Sequence, residues 1–399
     1  ILNFQIEQIG SAVYVNPLTG DDANPGSSFD APLRTITNAL LRVVADSLNP
    51  GTIYLADGEY SQSNDEETYP INCQDYVNII GSSREGTILD AQNSGRVIYC
   101  NGDDGFSLSN LTVTGGNSGE GSGMYIMESD PVLDNIALIN NSGSGIDIRN
   151  WSSPTLNNII VSGNSGDGIY IYNYSHPLLT DLTVSDNSRG LFINGSCSPT
   201  ITGAVLSDNS DRGLYISSSS HPLISDVIVT GNHEGGVRIH NNSDPTLTNI
   251  SVIDNEDTSE GGGFLITSTS DPILENIQVR GNTSINSGGG ISIKDNSHPT
   301  LIGVTIADNT SNQGGGIYFY NNSTAIFDSD NRSSIYLNTA NSINGSDLYA
   351  YNSPLISVVV DTFSVMSPTD FYAYPVENYS FDILNFQIEQ IGSAVYVNP

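Results

Sequence analysis

The chain reads as all-β: a parallel β-helix of three-strand coils of about 23 residues, with a short N-terminal capping helix and a strand-rich C-terminal cap. Three observations carry that reading. Prolines recur at Pro131, Pro154, Pro177, Pro199, Pro222, Pro245, Pro272 and Pro299, spaced by 23, 23, 22, 23, 23, 27 and 27 residues, the mark of a stacked repeat. Ten residues after each stands an asparagine: Asn141, Asn164, Asn187, Asn209, Asn232, Asn255, Asn282 and Asn309. Between these markers lie three short runs of period-two alternation, as in Ile169 with Ile171, then Leu179, then Leu182 with Val184. Such runs are strands with one buried face. One coil cannot bury its apolar residues alone, so coils must stack at about 4.8 Å.

The elements follow in chain order. Residues 1–12 read as a junction strand and 13–105 as an N-terminal cap with the first irregular coils. Within the cap, Asp30 is the expected helix N-cap and Pro32 falls in the first turn. Leu33, Ile36, Leu40 and Val43 form the apolar stripe. That helix is expected to cover the open bottom of the stack. Residues 106–332 hold the regular coils. Proline at the start of the second run suits a position where its missing donor does no harm. The glycines at 261–263 and 288–290 suit tight turns of positive φ, and the longer coils lengthen only this turn. The Asn column is expected to be structural, since stacked amides can hydrogen-bond from coil to coil. Residues 333–382 read as a C-terminal cap rich in Tyr and Phe.

Residues 383–399, ILNFQIEQIGSAVYVNP, repeat residues 1–17 without a difference, so Ile1 recurs as Ile383. They read as the start of the next identical repeat in a tandem array. Neighbouring copies of the same unit, head to tail, are therefore the expected partners.

Composition narrows the partners further. Asp plus Glu number 44 against 11 Lys plus Arg, for a net charge of −33. No basic stripe exists to replace phosphate counterions, so nucleic acid is not expected. The acidic surface suits salt and divalent cations. No apolar run is long enough to span a bilayer. Cys73 and Cys100 each follow an Ile by two residues and fall on the inner face of adjacent coils; they read first as stacked thiols, with a bridge as the alternative. Cys197 is left over.

The stretch YVNPLTGDDANPGSSFDAPLRTITNAL, followed by GTIYLADGEY and YPINCQDYVNIIGSS, resembles the opening of right-handed β-helix proteins of the pectate-lyase-like superfamily. In particular it is similar to their DUF1565-type N-terminal region. The resemblance covers roughly residues 11 to 350 and implies a right-handed coil. It is weak for activity, because that superfamily mixes polysaccharide lyases, hydrolases and epimerases with non-catalytic surface proteins. The Asn column resembles the asparagine ladders of that fold.

No catalytic set stands out. Arg149, Arg189, Arg212, Arg238 and Arg280 are scattered, and the motifs of polygalacturonase-like enzymes and alginate epimerases are missing. The acidic clusters Asp21/Asp22, Asp103/Asp104 and Asp65/Glu66/Glu67 read as solvated turns, with Ca²⁺ conceivable at the first but not assignable. His176, His221 and His298 precede repeat prolines at sites where other coils carry Asp or Ser, and so read as exposed turn residues. His176 and His221 lie two coils apart, about 9.6 Å by strand spacing, too far to share a metal. Tyr170, Tyr172, Tyr174, Tyr215, Tyr318 and Tyr320 alternate with inward positions and face outward, suited to ordinary packing or to sugar. Fourteen Asn-x-Ser/Thr sequons occur.

These readings converge on an extracellular or cell-surface structural protein, without enzymatic activity, cofactor or metal. It would be one unit of a tandem-repeat fibre, stalk, sheath or adhesin. The alternative is a secreted polysaccharide lyase or hydrolase, or a carbohydrate-binding module, with polysaccharide or cell-surface glycans as partner.

Overall fold

The computed structural model describes residues 8–340, 345–364, 369–374 and 379–386. The chain divides into two compact units, residues 1–188 and 189–399, each a parallel stack of coils.

In the first unit, Ala12–Val15 pairs in parallel with Gly51–Leu55, and that strand with Val77–Gly81. The helix is shorter than the sequence suggests, Ile36–Arg42, and its N-cap is Thr35, whose side chain accepts from Asn38 N. Asp30 does not cap it, because Leu33 is held in a bridge to Val15 and the chain turns helical only beyond it. Asp22 anchors the turn, accepting from Arg34 N and from Thr35 N and Oγ1. The stripe Leu33, Ile36, Leu40 and Val43 is buried as expected.

The acidic run at 65–67 is not a solvated turn. Asp65 and Glu67 are fully buried. Glu67 accepts from Ile36 N, Thr37 N and Thr37 Oγ1. It thus satisfies donors that a helix N-terminus leaves open. Burial raises the pKa of both carboxyls, that of Asp65 to about 7.

Cys73 and Cys100 are bridged by a disulfide with a Cα–Cα distance of 4.8 Å, rather than stacked as thiols. The pairing of Ile71 with Ile98 and Asn72 with Tyr99 sets the two inward sulfurs side by side, within the span a bridge requires. Cys197 is buried and free of any disulfide.

The regular coil has a four-residue strand and an eight-residue strand. The second and third runs of alternation form one continuous strand, Thr155–Ser162 for instance, bent where Asn158 takes a left-handed φ of 52°. Asn tolerates that conformation better than most residues. The inward positions Ile169, Ile171, Leu179, Leu182 and Val184 are all buried.

In the second unit the 27-residue coils split the long strand in two, as in Ile273–Glu275 and Gln278–Arg280. Their extra residues are more than a longer loop. Glu256–Asp257, Thr283–Ser284, Thr310–Ser311 and Thr339–Ala340 pair into a small parallel sheet. The glycine triples serve coil contact as well as turn geometry. Gly261 and Gly288 have positive φ, but a Cβ at Gly262 or Gly289 would come within 2.5 Å of Thr283 O or Thr310 O of the next coil. The stack continues beyond the proline repeats: Leu348–Tyr351 pairs with Phe371–Tyr374, and Ile356–Phe363 with Tyr379–Phe386.

Candidate functional site

The asparagine column is a ladder in each unit. Asn141 donates from N and Nδ2 to Asn164 Oδ1, and Asn164 likewise to Asn187 Oδ1. In the second unit the same double donation links Asn209 to Asn232 and Asn232 to Asn255. It continues through Asn282, Asn309 and Asn338. All are buried, so their amides are consumed within the fold. The ladder ends on Asp347, whose Oδ1 takes both donors of Asn338.

Sequence reasoning missed Asn338, which has no proline ten residues before it. It also missed a second buried column, two residues ahead of each proline. Here a backbone N–H donates to the hydroxyl of the next coil, as from Ser129 to Ser152, Ser220 to Ser243 and Ser270 to Ser297. Cys197 occupies that column, donating its N–H to Ser220 Oγ. The signal was present as the recurring Ser in SDP, SSP and SHP.

The histidines before the prolines act as turn groups. His221 Nδ1 accepts from Asp244 N, and His298 lies 3.4 Å from Asp271. Among the described residues no group of three or more His, Cys, Asp or Glu is placed to hold a metal ion.

Chemistry concentrates on the outward face of the four-residue strands. In the first unit the strands Ile98–Asn101, Met124–Met127, Ile146–Arg149 and Ile169–Tyr172 pair in register. One outward column is Tyr99, Tyr125, Asp147 and Tyr170. Its neighbour holds Met127, Arg149 and Tyr172. Arg149, isolated in sequence, is the hub: it binds Asp147 Oδ2 at 2.9 Å and Glu120 Oε1 at 3.0 Å. Its guanidinium lies 5.1 Å from the Tyr170 ring centre and 5.6 Å from that of Tyr125. Arg96 covers Tyr125 at 4.3 Å and donates to Glu120 O and Gly121 O, which holds the loop bearing Glu120 against the face. Gly121 makes that loop possible, since its φ is 51° and a Cβ would strike Met124 O.

The centre is strained electrostatically. Asp147 is 1% exposed, and burial raises its pKa although Arg149 opposes the shift. Its Oδ1 and the Nε of Arg149 have no hydrogen-bond partner, which is costly in a buried site. Glu120 is exposed, so the two carboxylates on one guanidinium sit in unlike environments. At the strand ends stand Trp151 and Tyr174, stacked at 5.8 Å and only 6° apart. Both adopt left-handed φ of 61°, unusual for bulky residues. Trp151 is 64% exposed, and Tyr172 beside it is exposed too.

The second unit carries a related face. Tyr318, Tyr349 and Tyr372 form one stacked column, and Tyr320, Tyr351 and Tyr374 another. Arg212 pairs with Asp257 at 3.0 Å and Lys294 with Glu260. Arg189 covers Phe192 at 4.0 Å, and Arg238 lies 5.2 Å from Tyr215. Arg280 reaches Asp308 at the rim.

Among solved structures the chain is similar to the A-module of the Azotobacter vinelandii mannuronan C-5 epimerase AlgE6. The TM-score is 0.54 at 16% identity, over 86% of this chain and 92% of that one. It is also similar to the pectate lyase Pel9A, with TM-score 0.42 and 17% identity over 75% of each chain. A GH87 α-1,3-glucanase catalytic domain gives 0.40 and 16% identity, over 83% of this chain and 63% of that one. No curated protein matches this sequence. The expectation of a non-enzymatic chain is withdrawn, since these neighbours are mostly carbohydrate-active enzymes; at 16–17% identity they share the fold alone and leave the activity of this chain open. That expectation rested on the 382-residue period, the regular coils and the strand-rich junction as well as on the missing sequence motifs. The family model for the right handed beta helix region matches residues 96–255 and 189–358, beginning beyond the DUF1565-like stretch, and the chain belongs to that family.

Proposed function

We propose that the protein engages a polysaccharide on the outward face of its first unit, with Trp151, Tyr172 and Tyr174 as the sugar platform and the Asp147–Arg149–Glu120 centre beside it. The observation that carries this reading is the exposed Trp151–Tyr174 stack next to a buried, incompletely hydrogen-bonded carboxylate–guanidinium pair. Flat exposed rings offer apolar contact to sugar C–H faces, and convergent polar groups fix orientation. Beside the rings, the exposed Glu120 carboxylate offers acceptors to sugar hydroxyls, and the buried Asp147–Arg149 pair holds it in place through the Arg149 guanidinium.

The same centre has the chemistry for proton transfer. Burial makes Asp147 hold its proton to higher pH than a free carboxyl, while Glu120 on the same guanidinium stands exposed; unlike environments of this kind can separate an acid from a base. With a net charge of −33, a neutral glycan suffers less repulsion than a polyanion. The reading as one unit of a repeated array is supported by the seventeen-residue duplication.

The test is affinity electrophoresis against a panel of neutral and uronic polysaccharides, followed by product analysis on any that bind. Trp151→Ala and Tyr174→Ala are expected to weaken binding on the order of tenfold each, as loss of 1–2 kcal/mol of ring contact implies. Asp147→Asn is expected to abolish any turnover with binding retained. Failure to bind every polysaccharide, or binding indifferent to both ring substitutions, would sink the proposal.

A further inference from the structure

The duplicated string is divided by the fold. Its first four residues in the C-terminal copy, Ile383–Phe386, are the end of the strand Tyr379–Phe386. That strand runs parallel to Ile356–Phe363, pairing Val360 with Ile383, Thr362 with Asn385 and Phe363 with Phe386. They therefore complete the last coil of the stack that precedes them. Arg332 fastens this strand, binding Asp382 Oδ2 at 2.9 Å and reaching Val360 O and Asp382 O.

In the N-terminal copy, attachment to the stack that follows is in place by Ile9. Ile9 N donates to Arg42 O, and Val44 N to Gly10 O. Ala12–Val15 then pairs with Thr52–Leu55. By sequence identity Ile9 corresponds to Ile391 and Phe4 to Phe386.

We propose that the string is a shared joint between two copies of this chain. Ile-Leu-Asn-Phe closes one stack, and the residues from the second Ile-Gly onward open the next. Only the four residues Gln-Ile-Glu-Gln (387–390) intervene. Five Cα steps reach at most about 18 Å even fully extended, so the C-terminal face of one copy abuts the helix-bearing face of the following one.

Both faces are built for cover. Among the described residues Tyr379–Phe386 pairs on one side only, leaving a row of backbone donors and acceptors that proteins ordinarily shield. Around it Leu384, Phe381 and Leu355 are exposed. At the other end Leu41, Val44 and Leu48 are exposed around the helix. A second copy is the one partner that brings the matching string to both faces.

Two measurements test the joint. In the full chain, amide hydrogen exchange at Ile383–Phe386 is expected to be slowed on the order of 100-fold against the free peptide ILNFQIEQIGSAVYVNP. Asp382→Ala should return about tenfold of that. Exchange at free-peptide rates overturns the assignment of Ile383–Phe386 to the preceding stack. In a two-copy chain, residues 1–382 followed by 1–399, electron microscopy is expected to show the two stacks in contact with a narrow spread of angles. Stacks separated by more than about 18 Å, or hinging freely, overturn the joint whatever the outcome for polysaccharide binding.

Discussion

Asn232 shows what a single ladder residue does. Its Nδ2 donates to Leu206 O, Thr230 O and Asn255 Oδ1, while its Oδ1 takes N and Nδ2 of Asn209. Alanine there orphans several buried groups at once, each costing about 1–3 kcal/mol. Asn232→Ala is therefore expected to lose roughly 3 kcal/mol or more in urea unfolding, while Asn249→Gly, at an exposed left-handed bend, loses less than about 1. Equal losses would refute a buried-amide role. Asp347, which ends the ladder, behaves differently. Burial first, against the bonds from Asn338, raises its pKa to about 7. A folded pKa above the unfolded value means that the stabilising contribution is full below about pH 4 and is lost as pH rises through 7. Asp347→Asn keeps the acceptor and removes that loss, so its melting temperature should gain on the parent between pH 5 and pH 8. A difference independent of pH would contradict it. The ladder was legible because its spacing is rigid and its residue type constant. The Asp347 end was not, because the acceptor changes type and lies only nine residues beyond Asn338.

At the scale of elements, the N-terminal helix depends on a residue from another coil. Seven residues are too few to be stable alone, and Glu67 supplies acceptors for the first-turn donors of Ile36 and Thr37. Glu67→Ala is expected to destabilise the first unit by about 1–2 kcal/mol. Amides of the helix Ile36–Arg42 should exchange faster while those of the second unit stay unchanged. A global effect on both units would point to misfolding rather than an uncapped helix. The apolar stripe was readable from its spacing, and all four residues are buried, although only Ile36 and Leu40 lie within the helix itself. Its start was not, since the bridge from Leu33 to Val15 is a tertiary contact that no local signal announces. The same limit explains the proposed site. Strand alternation put Tyr170 and Tyr172 outward, but Arg149 meets Glu120 only because the coil turn folds back over the next strand. The acidic trio at 65–67 was misread for a like reason: a charged run looks solvated until a distant helix end claims one member and burial claims another.

For the whole molecule, charge is the dominant long-range term. Forty-four carboxylate residues oppose eleven cationic ones, and much of the positive charge is already committed, Arg149 to two acids and Arg212 to two more. Successive coils also place like charges in line: Asp244 and Asp271 are consecutive members of the column before the prolines, and Asp271 N donates to Asp244 Oδ1. That bond offsets part of the repulsion locally, but the remaining acids repel across each stack. Salt shortens their reach, from about 10 Å at 0.1 M to about 3 Å at 1 M, below the coil spacing of about 4.8 Å. Repulsion between carboxylates on neighbouring coils is then screened, whereas the buried Asp147–Arg149 contact is screened far less. Thermal stability should consequently rise steadily from 10 mM to 1 M NaCl, by calorimetry at constant pH, and contact between joined copies should tighten over the same range. A melting temperature that falls with salt would mean that the few ion pairs outweigh the acidic surface, and that repulsion does not govern how these stacks meet.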